Sequence, residues 1–369
     1  MFDFVPILNY THYFDVSILI LVLIAFWQCS RGSILRKDVV EFNATWGFVF
    51  AVVLILYMGL RPVNGPFGDT AIYASGFERA RLSKDPFVWQ WQTEWLFRNL
   101  VGLFAKFTNV NTFFLFCSFL YVGSLWWAMQ RIFKSYYYIP LLVIFSMFTF
   151  WNYGVNGIRN GIGASLFILA LTYIQNLPVA LLLCFLAIGF HTSILLMIAA
   201  SIGAWFVTNS YIYLLIWIIA IPASYIMGNT FQNFFAGIDF IGGDDRLYTY
   251  LTQETDESNL IYVSHTFRWD FILYSALGTL TGYYFIFHRN FKDEYYHWIF
   301  NIYLITNAFW ILINRAAFSN RFAQISWFIL PIVLIYPFMK KRFWLNHEKM
   351  LGYALLIFYA YAFYYNIYR

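Results

Sequence analysis

Between Trp151 and Ser193 the chain carries one charge, Arg159, and one histidine, His191. Their neighbours are apolar or small: Asn156-Gly157-Ile158-Arg159-Asn160-Gly161 and Gly189-Phe190-His191-Thr192-Ser193. A charge at the centre of a bilayer span costs about 2.5–3.5 kcal/mol on insertion scales, so it marks function by default. The glycines beside Arg159 permit close approach of a helix or a ligand headgroup. The start of a helix at this point adds partial positive charge, which favours an anion. The bland alternative is an arginine that reaches out to the interface, beside glycines that only pack. His191 titrates near neutral pH and could take a proton from a hydroxyl, or could simply be hydrogen-bonded at a helix turn.

Further along, Asn314-Arg315 and Ser319-Asn320-Arg321-Phe322 place two arginines at one turn. Such a pair can clamp a diphosphate or cap a polar turn, and arginine suits planar, bidentate contact with phosphate. In an earlier polar stretch, Gly68-Asp69 precedes Tyr73, and Glu94 precedes Phe97. Asp69 and Glu94 are each a candidate general base or sugar-hydroxyl ligand, with a solvated loop acid as the alternative. Trp89, Trp91 and Trp95 could lie on a membrane or stack on sugar rings. The run Gly242-Gly243-Asp244-Asp245 lacks the oxygen-ligand spacing of a calcium loop and reads as a turn.

The elements that must hold these residues are membrane spans. The chain is 61% hydrophobic and 11% charged over 369 residues, which excludes an ordinary soluble domain. Apolar runs of about 17–20 residues recur from end to end, enough for a helix to cross a bilayer. About twelve crossings are expected, in an all-α polytopic membrane protein of a single domain, residues 1–369. Two long extracytoplasmic loops are expected, at about 61–107 and 229–268, the first with an amphipathic stretch at Glu94–Phe107. The first span reads as a retained span with an outside N-terminus, because its basic residues follow it. Short loops carrying Arg31, Arg36 and Lys37, Arg131 and Lys134, Arg289 and Lys292, and Lys340–Arg342 with Lys349 fall on one side, which the positive-inside rule assigns to the cytoplasm. Arg61, Arg159, Arg315 and Arg321 then face outward. Pro178–Val207 is too short for two full crossings and a turn, so two shortened helices are expected, with His191 at their turn, recessed from the outer surface.

Cys29, Cys117 and Cys184 lie in apolar runs without metal-ligand spacing and read as small buried residues. No HExxH, GxSxG, P-loop or CxxC pattern occurs. No metal, cofactor or nucleic-acid partner is expected.

The order Gly68-Asp69 with Tyr73, Glu94 with Phe97, Asn156 to Gly161, His191-Thr192-Ser193 and Ser319 to Phe322 resembles the EpsG/Wzy-like polysaccharide polymerases over roughly residues 60–325. The chain departs from that pattern after the glutamate, where Trp95-Leu96 stand in place of proline and glycine. The resemblance implies a fold related to the GT-C membrane glycosyltransferases and a site on the outer face of the bacterial plasma membrane. Such enzymes move a growing glycan from polyprenyl diphosphate to the sugar of the next lipid-linked repeat unit, in O-antigen, capsule or exopolysaccharide synthesis. Membrane lipids, a chain-length regulator and a flippase are the implied partners. Asp69 or His191 would be the catalytic base. Arg159, Arg315 and Arg321 would bind diphosphate, and Tyr73, Glu94, Asn156, Asn160 and Asn320 would contact substrate. The competing expectations are a flippase or transporter for lipid-linked sugars, a glycan ligase of related fold and an O-acyltransferase. A transporter usually shows an internal repeat, and the sequence shows none.

Overall fold

The computed structural model describes residues 5–63, 65–236, 267–316 and 319–367. Among these every regular element is a helix and there is no strand. A chain this apolar has to satisfy its backbone within each segment, which helices do. Among the described residues five helical stretches are long and apolar enough to cross a membrane: Ile7–Ser30, Lys37–Gly59, Val110–Ser146, Ser210–Gly228 and Arg321–Lys340. Three shorter apolar helices are Ile158–Leu171, Leu177–Phe190 and Ile194–Phe206. The chain is therefore a helical membrane protein.

It divides into two compact units, Met1–His191 with Phe338–Arg369, and Thr192–Pro337. The first unit holds α1 (Tyr10–Ser30), α2 (Lys37–Gly59), α3 (Thr70–Arg81), α4 (Trp95–Phe107), α5 (Val110–Phe133), α6 (Tyr138–Ser146), α7 (Phe148–Val155), α8 (Ile158–Leu171) and α9 (Leu177–Phe190). The polar stretch after α2 is thus not a bare loop. It folds into α3 and α4, and α4 covers the amphipathic segment with Phe97, Asn99, Gly102 and Ala105 on its buried face. Polar pairs tie α1 to α2 at both ends. Gln28 and Asn43 exchange amide hydrogen bonds of 3.1 and 2.8 Å. Tyr10 and Tyr57 each donate to the other's carbonyl oxygen, with their rings stacked at 4.1 Å.

The segment expected as one span, Tyr138–Trp151, is broken. Met147 is extended and separates α6 from α7. A second break at Asn156-Gly157 separates α7 from α8. Residues 138–171 thus form three short helices, and the breaks free backbone groups that tertiary contacts then hold.

The second unit holds α10 (Ile194–Phe206), α11 (Ser210–Ala236), α12 (Trp269–Tyr283), α13 (Glu294–Leu312) and α14 (Ser319–Trp327), with α15 (Leu330–Lys340) running out of it; α16 (His347–Ile367) returns to the first unit. At 14 and 13 residues, α9 and α10 are each about 20 Å long, less than the roughly 30 Å hydrocarbon core. They are the shortened pair expected from Pro178–Val207. Helix α11 outruns its expected end near Met227, which is non-helical, and continues to Ala236. The Gly242–Asp245 run lies outside the described residues.

A buried polar network staples the second unit. Asn307 on α13 donates to Ser275 Oγ on α12 (2.9 Å) and Ser326 Oγ on α14 (2.8 Å), and accepts from Trp217 Nε1 on α11 (2.7 Å). Trp327 Nε1 also donates to Ser275 Oγ, at 2.8 Å. Replacing Asn307 by leucine strands these groups in an apolar interior. Each hydrogen bond within a membrane bundle is worth about 0.6 kcal/mol on average. Asn307→Leu should therefore lower the detergent melting temperature by several degrees, and an unchanged melt would remove the network from the account.

Candidate functional site

Four stretches distant in sequence meet inside the first unit: the first turns of α3, the start of α4, the start of α8 and the end of α9. At their centre is Glu94, 1% exposed, whose carboxylate is ion-paired with Arg159 through Nη1 and Oε2. These partners are 65 residues apart in sequence. The other oxygen, Oε1, is 3.5 Å from His191 Nε2. One buried carboxylate therefore faces both the anomalous arginine and the anomalous histidine.

Local structure explains how each side chain arrives. Glu94 caps α4 with left-handed backbone (φ 59, ψ 37). That conformation costs a non-glycine residue about 1–2 kcal/mol, and such strain collects at functional sites. Arg159 is the second residue of α8, whose N-cap is Gly157. His191 follows the last turn of α9 in an extended conformation, which swings its ring out of the helix. Two aromatic rings complete the enclosure of Arg159, Tyr73 at 5.5 Å and Phe97 at 5.7 Å from the guanidinium carbon. These rings stand edge to face at 5.5 Å. Burial pushes the Tyr73 phenol above its usual range, and the Arg159 guanidinium, which hydrogen-bonds it, works against that rise.

Helix α3 is latched to the turn between α7 and α8. Asp69 N–H donates to Asn156 Oδ1 at 2.8 Å, and Thr70 Oγ1 donates to Val155 O at 2.6 Å. Gly68 has φ +60 and lies so close to Asn156 that a Cβ there would collide with its side-chain amide. Arg61 locks this junction. It is 1% exposed. It donates to Met58 O (2.6 Å), Val155 O (3.2 Å) and Thr70 Oγ1 (2.8 Å), and lies over the Phe114 ring at 4.7 Å. Met58 and Val155 belong to the last turns of α2 and α7, whose free carbonyls carry partial negative charge. A buried cation is thus held by two helix C-termini. Burial pulls its pKa down to about 10, and it remains charged at neutral pH.

The expected site residues separate accordingly. Asp69, Tyr73, Glu94, Arg159 and His191 come together. Asp69 is half-buried, and its charge acts on both Tyr73 and Arg159. Asn156 serves as a brace, its Nδ2 donating to Asn152 Oδ1 at 3.1 Å. Asn160 donates to the Tyr153 hydroxyl at 3.3 Å. Glu94 is buried against Arg159 and His191. Arg315 and Arg321 belong to the second unit. Arg315 donates to Tyr225 O at 3.1 Å, and Arg321 is exposed near the start of α14. Asn320 is the second residue of that helix. Arg61 and Thr70 were missed as site residues. The one available signal was an arginine directly after a span and nine residues before a threonine that opens a helix.

Among the described residues no cluster of three or more His, Cys, Asp or Glu side chains is placed to hold a metal ion. A family model described as the EpsG family matches residues 45–369. No curated protein and no solved structure matches the chain.

Two stability measurements check this geometry. Removing one partner of a buried ion pair costs about 3–5 kcal/mol, because the other charge is left buried. Arg159→Met should depress the melting temperature strongly, and adding Glu94→Gln should recover most of the loss; additive losses would mean that the two are not coupled. Arg61→Lys should still destabilise by about 1.5–3 kcal/mol, because an ammonium cannot span three acceptors in the plane of a guanidinium. A wild-type melt for Arg61→Lys would show that the latch needs only the charge.

Proposed function

This chain belongs to the EpsG family, membrane proteins of polysaccharide biosynthesis, and on that premise we propose that it is a polysaccharide polymerase. In this reading it transfers a growing glycan from polyprenyl diphosphate to a hydroxyl of the incoming lipid-linked repeat unit. The observation that carries it is the Glu94–Arg159–His191 cluster. The acceptor oxygen attacks the anomeric carbon of the lipid-linked glycan, and the bond from that carbon to the phosphate oxygen breaks. The acceptor proton passes to His191, and the diphosphate leaves with the bonding electron pair.

Each residue has a part in that balance. His191 faces a buried carboxylate, the arrangement that orients an imidazole and stabilises the imidazolium formed when it takes a proton. Arg159 faces the charge that develops on the leaving diphosphate. Its position at the start of α8 adds the positive end of the helix dipole. Its guanidinium has Nη1 on Glu94, while its Nε is buried without a hydrogen-bond partner among the described residues. Asp69 is the alternative base, half-buried beside Tyr73. Tyr73 and Asn160 would contact substrate. Arg315, Arg321 and Asn320, in the second unit, are proposed as further diphosphate and substrate ligands on the sequence pattern alone.

The finer architecture belongs to the same proposal: one integral membrane domain of about twelve crossings, related to the GT-C glycosyltransferases. It would sit in the bacterial plasma membrane with its site facing outward, serve O-antigen, capsule or exopolysaccharide synthesis, and work beside a flippase and a chain-length regulator. The short α9 would leave His191 recessed, because the helix ends there after about 20 Å, less than a full crossing.

The test is purified protein in detergent, supplied with diphosphate-linked repeat units, with products resolved on a gel. A ladder of repeats is expected. A single added unit would make the protein a ligase, and no covalent change would make it a transporter. Arg159→Ala should abolish the ladder, and full ladder formation by that variant would overturn the site. His191→Gln should lower the rate by about 10²–10⁴-fold, the usual contribution of a general base. Asp69→Asn causing that loss, with His191→Gln near wild type, would move the base to Asp69.

A further inference from the structure

Beside the Glu94 cluster lies an aromatic surface that the proposed chemistry does not use. The indoles of Trp89, Trp91 and Trp95 form a closed triangle, with centroids 5.2, 5.0 and 5.7 Å apart and planes inclined by 47–73°. Trp89 is 47% exposed and Trp91 69% exposed. Their placement is fixed by the fold. Asn99, buried on α4, accepts from Gln90 N–H at 3.0 Å and donates to Gln90 O at 2.8 Å and Trp95 O at 2.7 Å. It therefore clamps the segment that carries two of the indoles onto the helix that carries the third. Trp95 also packs on Phe185 of α9 at 5.2 Å.

The triangle is continuous with the ion-pair cluster on both sides. Trp95 directly follows Glu94 in the chain. Gly189, two residues before His191, has no side chain where the Trp95 indole lies, and a Cβ there would stand 2.9 Å from the ring. Exposed Gln90 and Gln92 alternate with the two outer tryptophans, and exposed Lys84 and Asp85 precede them. Indoles flanked by amides and charges suit a ligand with apolar ring faces and many hydroxyls. A pyranose has that character: its C–H face stacks on an indole, while its hydroxyls bond to amides at the rim. A lipid tail would leave the two glutamines without purpose.

We propose that Trp89, Trp91 and Trp95 form a glycan subsite, which holds a sugar ring of the repeat unit next to the reacting centre. The proposal rests on the polymerase reading for the identity of its ligand. The subsite positions saccharide and takes no part in bond making, so its loss acts on binding rather than on chemistry.

The test uses the full chain in nanodiscs and, as probe, one lipid-free repeat unit released from the polysaccharide of the producing cell. Binding is read by calorimetry, and the acceptor KM and kcat come from the ladder assay. The Trp89→Ala/Trp91→Ala variant should bind the probe roughly tenfold more weakly, equivalent to about 1.4 kcal/mol. KM should rise by a similar factor, with kcat within about twofold of wild type. Trp91→Phe, which keeps a ring, should recover most of the affinity. Equal probe affinity in wild type and the double alanine variant would overturn the subsite. A change confined to nanodisc incorporation would do the same, and would make the indoles a membrane anchor. If wild type binds the probe through these tryptophans but forms no ladder, the polymerase reading fails and the subsite stands.

Discussion

The first unit depends on one buried carboxylate. Glu94 is almost fully withdrawn from solvent and lies against Arg159 and His191. An unpaired carboxylate in that setting would be expelled or neutralised. Its pairing fixes the start of α4 against the start of α8 and the end of α9, and the left-handed backbone at Glu94 is part of the same constraint. Replacing buried ion pairs by apolar residues is often neutral or stabilising, so stability alone does not account for this one. We propose that this charged cluster, in a chain so apolar, serves the reaction.

The breaks in the helices serve the same end. An unbroken span over residues 138–171 would carry Arg159 on a continuous rod. The interruptions at Met147 and Asn156-Gly157 instead give Arg159 a place at a helix start. The second interruption frees Val155 O, which Thr70 Oγ1 and Arg61 bind. Arg61 holds the ends of α2 and α7 together, while Asn156 receives the Asp69 amide.

Much of this was legible in the sequence, and the limits are physical. Arg159 and His191 stood out because charge and titratable groups are rare in apolar runs. The shortened α9 and α10 followed from counting residues against bilayer thickness. The amphipathic stretch at Glu94 declared α4 by its period. What sequence did not reveal was contact. Glu94 read as a general base, a sugar ligand or a solvated loop acid, because its partners are remote along the chain and its burial comes from their packing. The burial of Arg61 was not legible, because nothing local signals that two helix ends will close over it. The kink at Met227 and the continuation of α11 to Ala236 were missed because the polar residues after Gly228 read as loop, although their period also suits a helix.

We propose that the Glu94–Arg159–His191 cluster receives the diphosphate and the acceptor hydroxyl. The most direct measurement is a cryo-electron microscopy structure of the protein with a polyprenyl-diphosphate-linked repeat unit bound. Diphosphate density is expected within hydrogen-bonding distance of the Arg159 guanidinium, with a sugar hydroxyl directed at the His191 ring. Diphosphate density elsewhere, with Arg159 and His191 still closed onto Glu94 and no ligand atom beside them, would contradict it.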